Sequence, residues 1–227
     1  MDEIVDYYDE LAKTYDHNRF ENSYGAFIDK QERAVLQQLL THPEEIVLDM
    51  PCGSGRFLNF AQLGIDGSKE MVRVSQSKFP NKKITHADAA DTGIDDHSID
   101  TIISFHFFMH LDEEKMKRIL QECDRILKPK GRIIFDIPSL KRRKLIQYKR
   151  TNWHGGFSLS NKELSELAPQ FDINRSYGLL FVPIHRIPKR LRSIFLSIDR
   201  ILSNSFLKEY SSYQIIEMVK NELLEKN

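Results

Sequence analysis

The chain alternates short apolar runs with amphipathic stretches, the pattern of a parallel sheet wrapped by helices. Glu45–Met50 reads as a buried strand, Leu63–Asp66 as a short second one, Lys83–Ala87 as a third and Ile99–Phe105 as an Ile-rich fourth. Gly131–Ile137 is the fifth, introduced by the turn signal Lys128-Pro129-Lys130-Gly131. Lys69–Lys78 and Glu113–Leu127 carry helical spacing; in the second, Met116, Ile119, Leu120, Cys123, Ile126 and Leu127 recur at intervals of three and four. The first forty residues predict two helices. Tyr7, Tyr8, Leu11 and Tyr15 share one face of the first, and the second, Ala26–Leu40, stops before Pro43. In the last third, Phe171–Val182 and Tyr213–Val219 predict two strands that pair at long range. Between them Lys189–Leu202 reads as a basic amphipathic helix, with Leu191, Ile194, Phe195, Ile198, Ile201 and Leu202 forming a stripe expected to pack on the sheet.

Composition narrows the class. With 227 residues and 41% hydrophobic side chains the chain can build a substantial core. No apolar run approaches the roughly 18–20 residues that cross a bilayer, and the first thirty residues show no signal-peptide core, so a reducing cytoplasm is the expected home. Cys52 and Cys123 stand in no paired-ligand spacing, which argues against a zinc knuckle or a disulfide framework, and no metal is expected. The 33 basic and 33 acidic residues cancel, yet residues 1–113 hold 10 basic against 21 acidic and residues 114–227 hold 23 against 12. That asymmetry either mixes on the folded surface or marks a partner.

Four of the ten glycines fall between positions 53 and 67. Val47-Leu48-Asp49-Met50-Pro51-Cys52-Gly53-Ser54-Gly55-Arg56 reads as a strand running through Gly-x-Gly into a helix, a turn that lets a ligand approach backbone closely. The second strand ends at Asp66, followed by Gly67-Ser68, where a carboxylate can accept from both hydroxyls of a ribose. A phosphate-binding Walker loop is absent. The third glycine of a dinucleotide fingerprint is replaced by Leu58. A nucleoside ligand without phosphate, S-adenosylmethionine (SAM), needs neither feature.

From Tyr8 to about Ser139 the chain resembles the class I SAM-dependent methyltransferases. Asp49-x-Pro51-x-Gly53-x-Gly55 resembles their first motif, with proline in place of a glycine. Asp66 matches the ribose-binding acid, and the short interval from Asp49 to Asp66 suggests a trimmed helix. His86-Ala87-Asp88-Ala89 resembles the adenine motif, and Ile103–Leu111 resembles the fourth-strand motif. Arg125–Gly131 resembles the turn before the fifth strand, with Lys130 in place of glycine. Tyr8-Asp9-x-x-Ala12-x-x-Tyr15-Asp16 resembles the N-terminal lid.

The resemblance implies an α/β, doubly wound, Rossmann-like seven-stranded sheet of order 3-2-1-4-5-7-6 with strand 7 antiparallel, N-terminal lid helices and a helical insertion between strands 6 and 7. One domain would span 1–227: lid helices 1–42, a SAM-binding core 43–139, and a C-terminal part 140–227 that holds the acceptor region and the inserted basic helix 188–204. It implies a cofactor site of Tyr15, Arg19, Asp49, Pro51, Cys52, Gly53, Gly55, Asp66, Gly67, Ser68, Asp88, Ala89, Ser104 and Phe105, with S-adenosylhomocysteine as product.

His106 and His110, at the carboxyl end of the fourth strand, are the candidate catalytic residues. His106, Trp153, His154, His185 and Arg186 are candidate acceptor contacts. The expected reaction is methyl transfer to O or N of a small metabolite. The run Lys141–Arg150, with six basic residues and no acid, leaves room for an anionic acceptor. Alternatives are a membrane-surface enzyme acting on a lipid, quinone or glycolipid, with peripheral membrane contact, and a SAM-binding module without turnover. RNA is a lesser alternative. DNA is not expected, because Ser104-Phe105-His106-Phe107 stands where amino-group nucleic-acid methyltransferases carry an Asp/Asn-Pro-Pro turn.

Overall fold

Alternation along the strands sends neighbouring residues to opposite sides of one sheet. The computed structural model describes residues 3–149 and 155–222. Its sheet contains β1 (Val47–Asp49), β2 (Leu63–Asp66), β3 (Lys83–His86), β4 (Ile99–Ser104), β5 (Leu127–Pro138), β6 (Phe171–Leu179) and β7 (Tyr213–Lys220). The order is β3-β2-β1-β4-β5-β7-β6, and β7 runs antiparallel to both neighbours, as expected. Leu48 sits opposite Leu63 on one side and Ile102 on the other, which fixes the central register.

Two apolar clusters share the alternating residues. Leu48, Ile102, Ile133, Phe135, Ile216 and Met218 join Met116, Leu120 and Cys123 of α5 (Glu113–Ile126) and Leu164 of α7 (Asn161–Leu167). Val47, Ile103, Ile134 and Ile215 join Leu36 and Leu39 of α3 (Ser23–Leu39). The short crossover helix α4 (Lys69–Lys78) starts on Ser68, whose hydroxyl accepts the Met71 N–H, and ends where the sequence places it.

Three expectations are corrected. The N-terminal region holds three helices, not two: α1 (Glu3–Leu11), α2 (Tyr15–Phe20) and α3. Asn22 caps α3 by accepting from the Tyr24 and Gly25 N–H groups. The chain folds so tightly there that a Cβ on Gly25 would clash with the Arg19 carbonyl oxygen. Second, no helix follows the glycine turn. Residues 51–60 are a succession of turns, closed by Gly55 N–H to Cys52 O, Leu58 N–H to Gly55 O and Phe60 N–H to Phe57 O. Residues 50–62 give this crossover between parallel strands 13 residues, close to the minimum of about 10–12 for one that includes a helix, and here they are spent on turns.

Third, the apolar stripe of α8 (Arg192–Ser203) faces solvent. Leu191, Ile194, Ile198 and Ile201 are exposed, while Phe195 and Leu196 pack toward Phe27, Ile28, Leu180 and Ile184. The cause is Asp199, fully buried on the other face, whose carboxylate accepts from the Gln31 amide, the Val182 N–H and the Ser203 hydroxyl. A buried carboxylate must keep its partners, and satisfying Asp199 turns the isoleucines outward. Among the described residues, no helix is long and apolar enough to cross a membrane.

Candidate active site

Strand order reverses between β1 and β4, and the carboxyl ends of those strands open a crevice, the place where open α/β sheets bind ligands. A cavity of about 830 Å³ lies there. Of the sequence-predicted residues, Tyr15, Asp49, Pro51, Cys52, Gly53, Asp66, Gly67, Ser68, Asp88, Ala89, Phe105 and His106 line it.

The two carboxylates beside the glycine turn are unusually placed. Asp66 is buried at the end of β2; one oxygen accepts the Gly53 N–H at 2.7 Å and the other the Ser68 N–H at 2.8 Å. Burial pushes its pKa up to about 6 against these two hydrogen bonds, and the Asp9 charge adds to the rise. Asp49 is buried too. Burial holds its pKa well above the usual carboxylate range, Arg56 opposing and Asp66 adding, and its Oδ2 has no hydrogen-bond partner. Between them Gly53 adopts φ +52° with no atom within 4 Å of where a Cβ would stand. An orphaned carboxylate oxygen and an open cradle at the glycine fit a cationic nucleoside that approaches the backbone closely. On the far wall Asp88 accepts the Ala90 N–H at 2.8 Å, and Ile65, Met71, Phe107 and Ile119 supply apolar surface.

The N-terminal helices are fastened over the crevice at several points. Asp9 of α1 accepts from the Ser68 hydroxyl and the Glu70 N–H, and Asp16 of α2 accepts from the Ser54 hydroxyl and the Lys78 ammonium. The Tyr8 hydroxyl lies 3.1 Å from His110 Nε2, and His110 Nδ1 accepts the Gly155 N–H at 2.9 Å. A neutral His110 that accepts at Nδ1 carries its proton on Nε2 and donates to Tyr8. His110 is buried and does not line the cavity; it ties α1 to the segment after β4.

His106 is different. It lines the cavity, in left-handed backbone conformation at φ +56°, and its N–H donates to Asp136 Oδ1 at 2.5 Å. Its Nε2 lies 2.8 Å from Glu32 Oε1, off the line of the ring N–H, and its Nδ1 lies 3.7 Å from Asp136 Oδ2. Glu32 and Asp136 are fully buried. Burial works against the Glu32 charge, but Arg56, at 2.6 Å, and His106 more than offset it and hold its pKa below the usual range. Asp136 is pushed up by burial, with His106 opposing. Arg56 lies between the rings of Phe20 and Phe57, 4.0 Å from each centroid.

Glu32, Asp136, Arg56 and Phe20 escape the sequence reading. A signal existed for two of them: Asp136 interrupts Ile133-Ile134-Phe135 and Ile137, and Glu32 shares the helix face of Ile28, Leu36 and Leu39. A charged residue on an apolar face calls for a buried partner.

The other predicted residues stand elsewhere. Gly55 (φ +88°) packs against Phe79, where a Cβ would meet the ring at 2.9 Å, so it serves the turn's packing and does not line the cavity. Ser104 is buried beneath the cavity wall, inside β4. Arg19 is exposed beside the Tyr15 and Tyr8 hydroxyls rather than in the cavity. His185 and Arg186 are exposed away from the cavity, with His185 against the Tyr24 ring. Trp153 and His154 lie outside the described residues.

Comparison with known proteins agrees with this geometry. Residues 48–135 match the family model described as a methyltransferase domain. The chain is 36% identical over 140 residues to an uncharacterised protein of Methanocaldococcus jannaschii, covering 60% of this chain and 52% of that one. It is 27% identical over 135 residues to a demethylmenaquinone methyltransferase of Thermotoga maritima, covering 56% and 58%. The matches thus span a little over half the length of these curated relatives. Among solved structures, magnesium protoporphyrin IX methyltransferase of Synechocystis with bound S-adenosylhomocysteine superposes with a TM-score of 0.67 at 16% identity, covering 96% of this chain and 98% of that one. That likeness shows the fold.

Proposed function

From the premise that residues 48–135 form a methyltransferase domain on the class I SAM-dependent fold, we propose that the chain transfers a methyl group from SAM to O or N of a small molecule. When bound, SAM supplies a methyl group already activated by its sulfonium. Asp66 would accept from the ribose hydroxyls, and the unpartnered Asp49 oxygen would take the ligand's ammonium or a water bound to it. The Gly53 cradle would admit the ligand to the backbone, and Asp88 with Ala89 would hold the adenine edge. The lid fastened by Asp9, Asp16 and Tyr8 keeps water from the reacting atoms.

The observation that carries the reading is the pairing of an orphaned Asp49 oxygen and buried Asp66 at one part of the cavity with His106 at another. A proton taken by His106 would lie between the carboxylates of Glu32 and Asp136, which compensates its charge. His106 is therefore the proposed base for a hydroxyl or ammonium acceptor, with Glu32 and Asp136 as positioning residues. The strained His106 backbone, held by Asp136, suits such a role. The two buried free thiols suit a reducing compartment.

Isothermal titration with SAM tests the cofactor site: micromolar affinity is expected, lost in Asp66→Ala, and unchanged binding in that variant refutes the assignment. Methyl-labelled SAM with fractionated cell extract tests the acceptor. Label is expected in small polar molecules, and label confined to RNA refutes that class.

A further inference from the structure

We propose that residues 141–149 and 186–210 form a docking face for an anionic lipid bilayer. This goes beyond methyl transfer and does not depend on it. Nine of the eleven exposed large apolar or aromatic side chains among the described residues lie in these two segments, Leu145, Ile146 and Phe206 among them. Leu191, Ile194, Ile198 and Ile201 recur at intervals of three, four and three, so they share one side of α8 and its entry turn. Ile194 is 62% exposed, Ile201 70% and Phe206 88%. The protein holds α8 by its other side, through Phe195, Leu196 and the buried Asp199, and leaves this stripe unpartnered.

Charge says what covers it. Arg186, Lys189, Arg190 and Arg200 are exposed around the stripe; of the two acids in 186–210, Asp199 is buried and Glu209 is paired with Lys141. The short helix α6 (Leu140–Leu145) and the four residues after it add exposed Lys141, Lys144 and Lys149 and no acid. α6 is tied to the end of the inserted segment by the Lys141–Glu209 ion pair and by Arg142 donating to the Tyr210 carbonyl, so the two stretches make one surface. Isoleucines ringed by cations fit the acyl–headgroup boundary of an anionic membrane. A second copy of the same face would set these cations against each other.

Position gives the face a use. β6 runs parallel to β5, since both are antiparallel to β7, so residues 180–212 and α6 emerge at the carboxyl edge of the sheet, the edge that also carries the cavity. An enzyme docked this way meets the membrane with that edge.

The test is co-sedimentation of the full chain with phosphatidylcholine vesicles, with and without phosphatidylglycerol, at low and high salt. Binding is expected only with phosphatidylglycerol and is expected to weaken with salt. Each exposed cation near the surface contributes a factor of about five. The combined Ile194→Asp, Ile198→Asp and Ile201→Asp variant is expected to lose binding at least about tenfold while keeping SAM affinity, since none of these residues touches the cavity. The combined Arg186→Gln, Lys189→Gln, Arg190→Gln and Arg200→Gln variant leaves the packed side of α8 intact and decides the matter if the first variant fails to fold. The proposal is overturned if the wild-type chain ignores anionic vesicles or if the variants bind them as well as wild type. It is equally overturned if size-exclusion chromatography shows a wild-type dimer that the aspartates disperse, because a second copy then covers the face.

Discussion

Replacing Asp66 by asparagine separates the stability of the cleft from its use. In the native chain the Asp66 pKa is pushed up from 3.8 to about 6, chiefly by burial. The native state therefore binds the proton more tightly than the unfolded chain, and stability falls as pH rises from about 4 to about 6. The shift of about 2 pKa units corresponds to about 3 kcal/mol, since one unit is about 1.4 kcal/mol, and the carboxylate is buried enough that solvent screening takes little of it. Asparagine removes the titration and keeps one oxygen for the Gly53 or Ser68 N–H; the lost second acceptor costs about 1 kcal/mol at every pH. Wild type should thus be level with or above Asp66→Asn near pH 4 and lose about 3 kcal/mol against it by pH 7, roughly 6–12 °C in Tm for a chain of this size. Calorimetric melts of both proteins from pH 4 to 8 give the difference curve, in which the other titrating groups largely cancel. SAM affinity should fall sharply in the variant, and in wild type should decline as pH drops through 6, where the carboxylate proposed to accept from the ribose gains its proton. Parallel melting curves across that range would falsify the buried-carboxylate account.

Glu32→Gln removes the buried carboxylate that Arg56 and His106 share, leaving Asp29 and Asp136 beside them, and should cost about 3 kcal/mol of stability. It should also slow methyl transfer by about 10²-fold or more; SAM affinity measured by titration should stay within about a factor of two. A parallel fall in SAM affinity would show that the cluster serves the cofactor instead. Tyr8→Phe removes the hydroxyl that takes the His110 proton, a neutral bond of about 1 kcal/mol, so SAM should dissociate about fivefold faster in stopped flow; an unchanged off-rate would mean that α1 is no lid.

The sheet was legible because its strands are short apolar runs ending in turn residues, and β2 and α4 fall where the pattern places them. The place of Asp66 in the crevice was legible for a local reason: a residue that ends a parallel strand stands at the carboxyl edge of the sheet, where the cavity lies. The histidine cluster was not, because Glu32, Arg56, His106 and Asp136 come from α3, the glycine turn, the β4 exit and β5, and no periodicity links them. α8 shows the complementary limit. Periodicity located its apolar stripe, but a stripe does not say which way it faces, and the hydrogen bonds of a single buried Asp199 decided that.

The missing helix after β1 bears on ligand choice. Dinucleotide and phosphate sites of this architecture set the phosphate against a helix N-terminus, whose dipole and free N–H groups favour negative charge. Here residues 51–60 only turn, so that positive end does not exist. The cavity instead presents two buried carboxylates, Asp49 and Asp66, each raised by desolvation, with the charge of Asp66 raising Asp49 further. A pyrophosphate placed between them would meet like charge in a poorly solvated site. A ligand carrying a sulfonium and an ammonium would relieve the cost of burying both carboxylates and pull both toward the ionised form. The trimmed crossover, an irregularity beside the usual βα turn, thus selects for the cationic nucleoside over the dinucleotide.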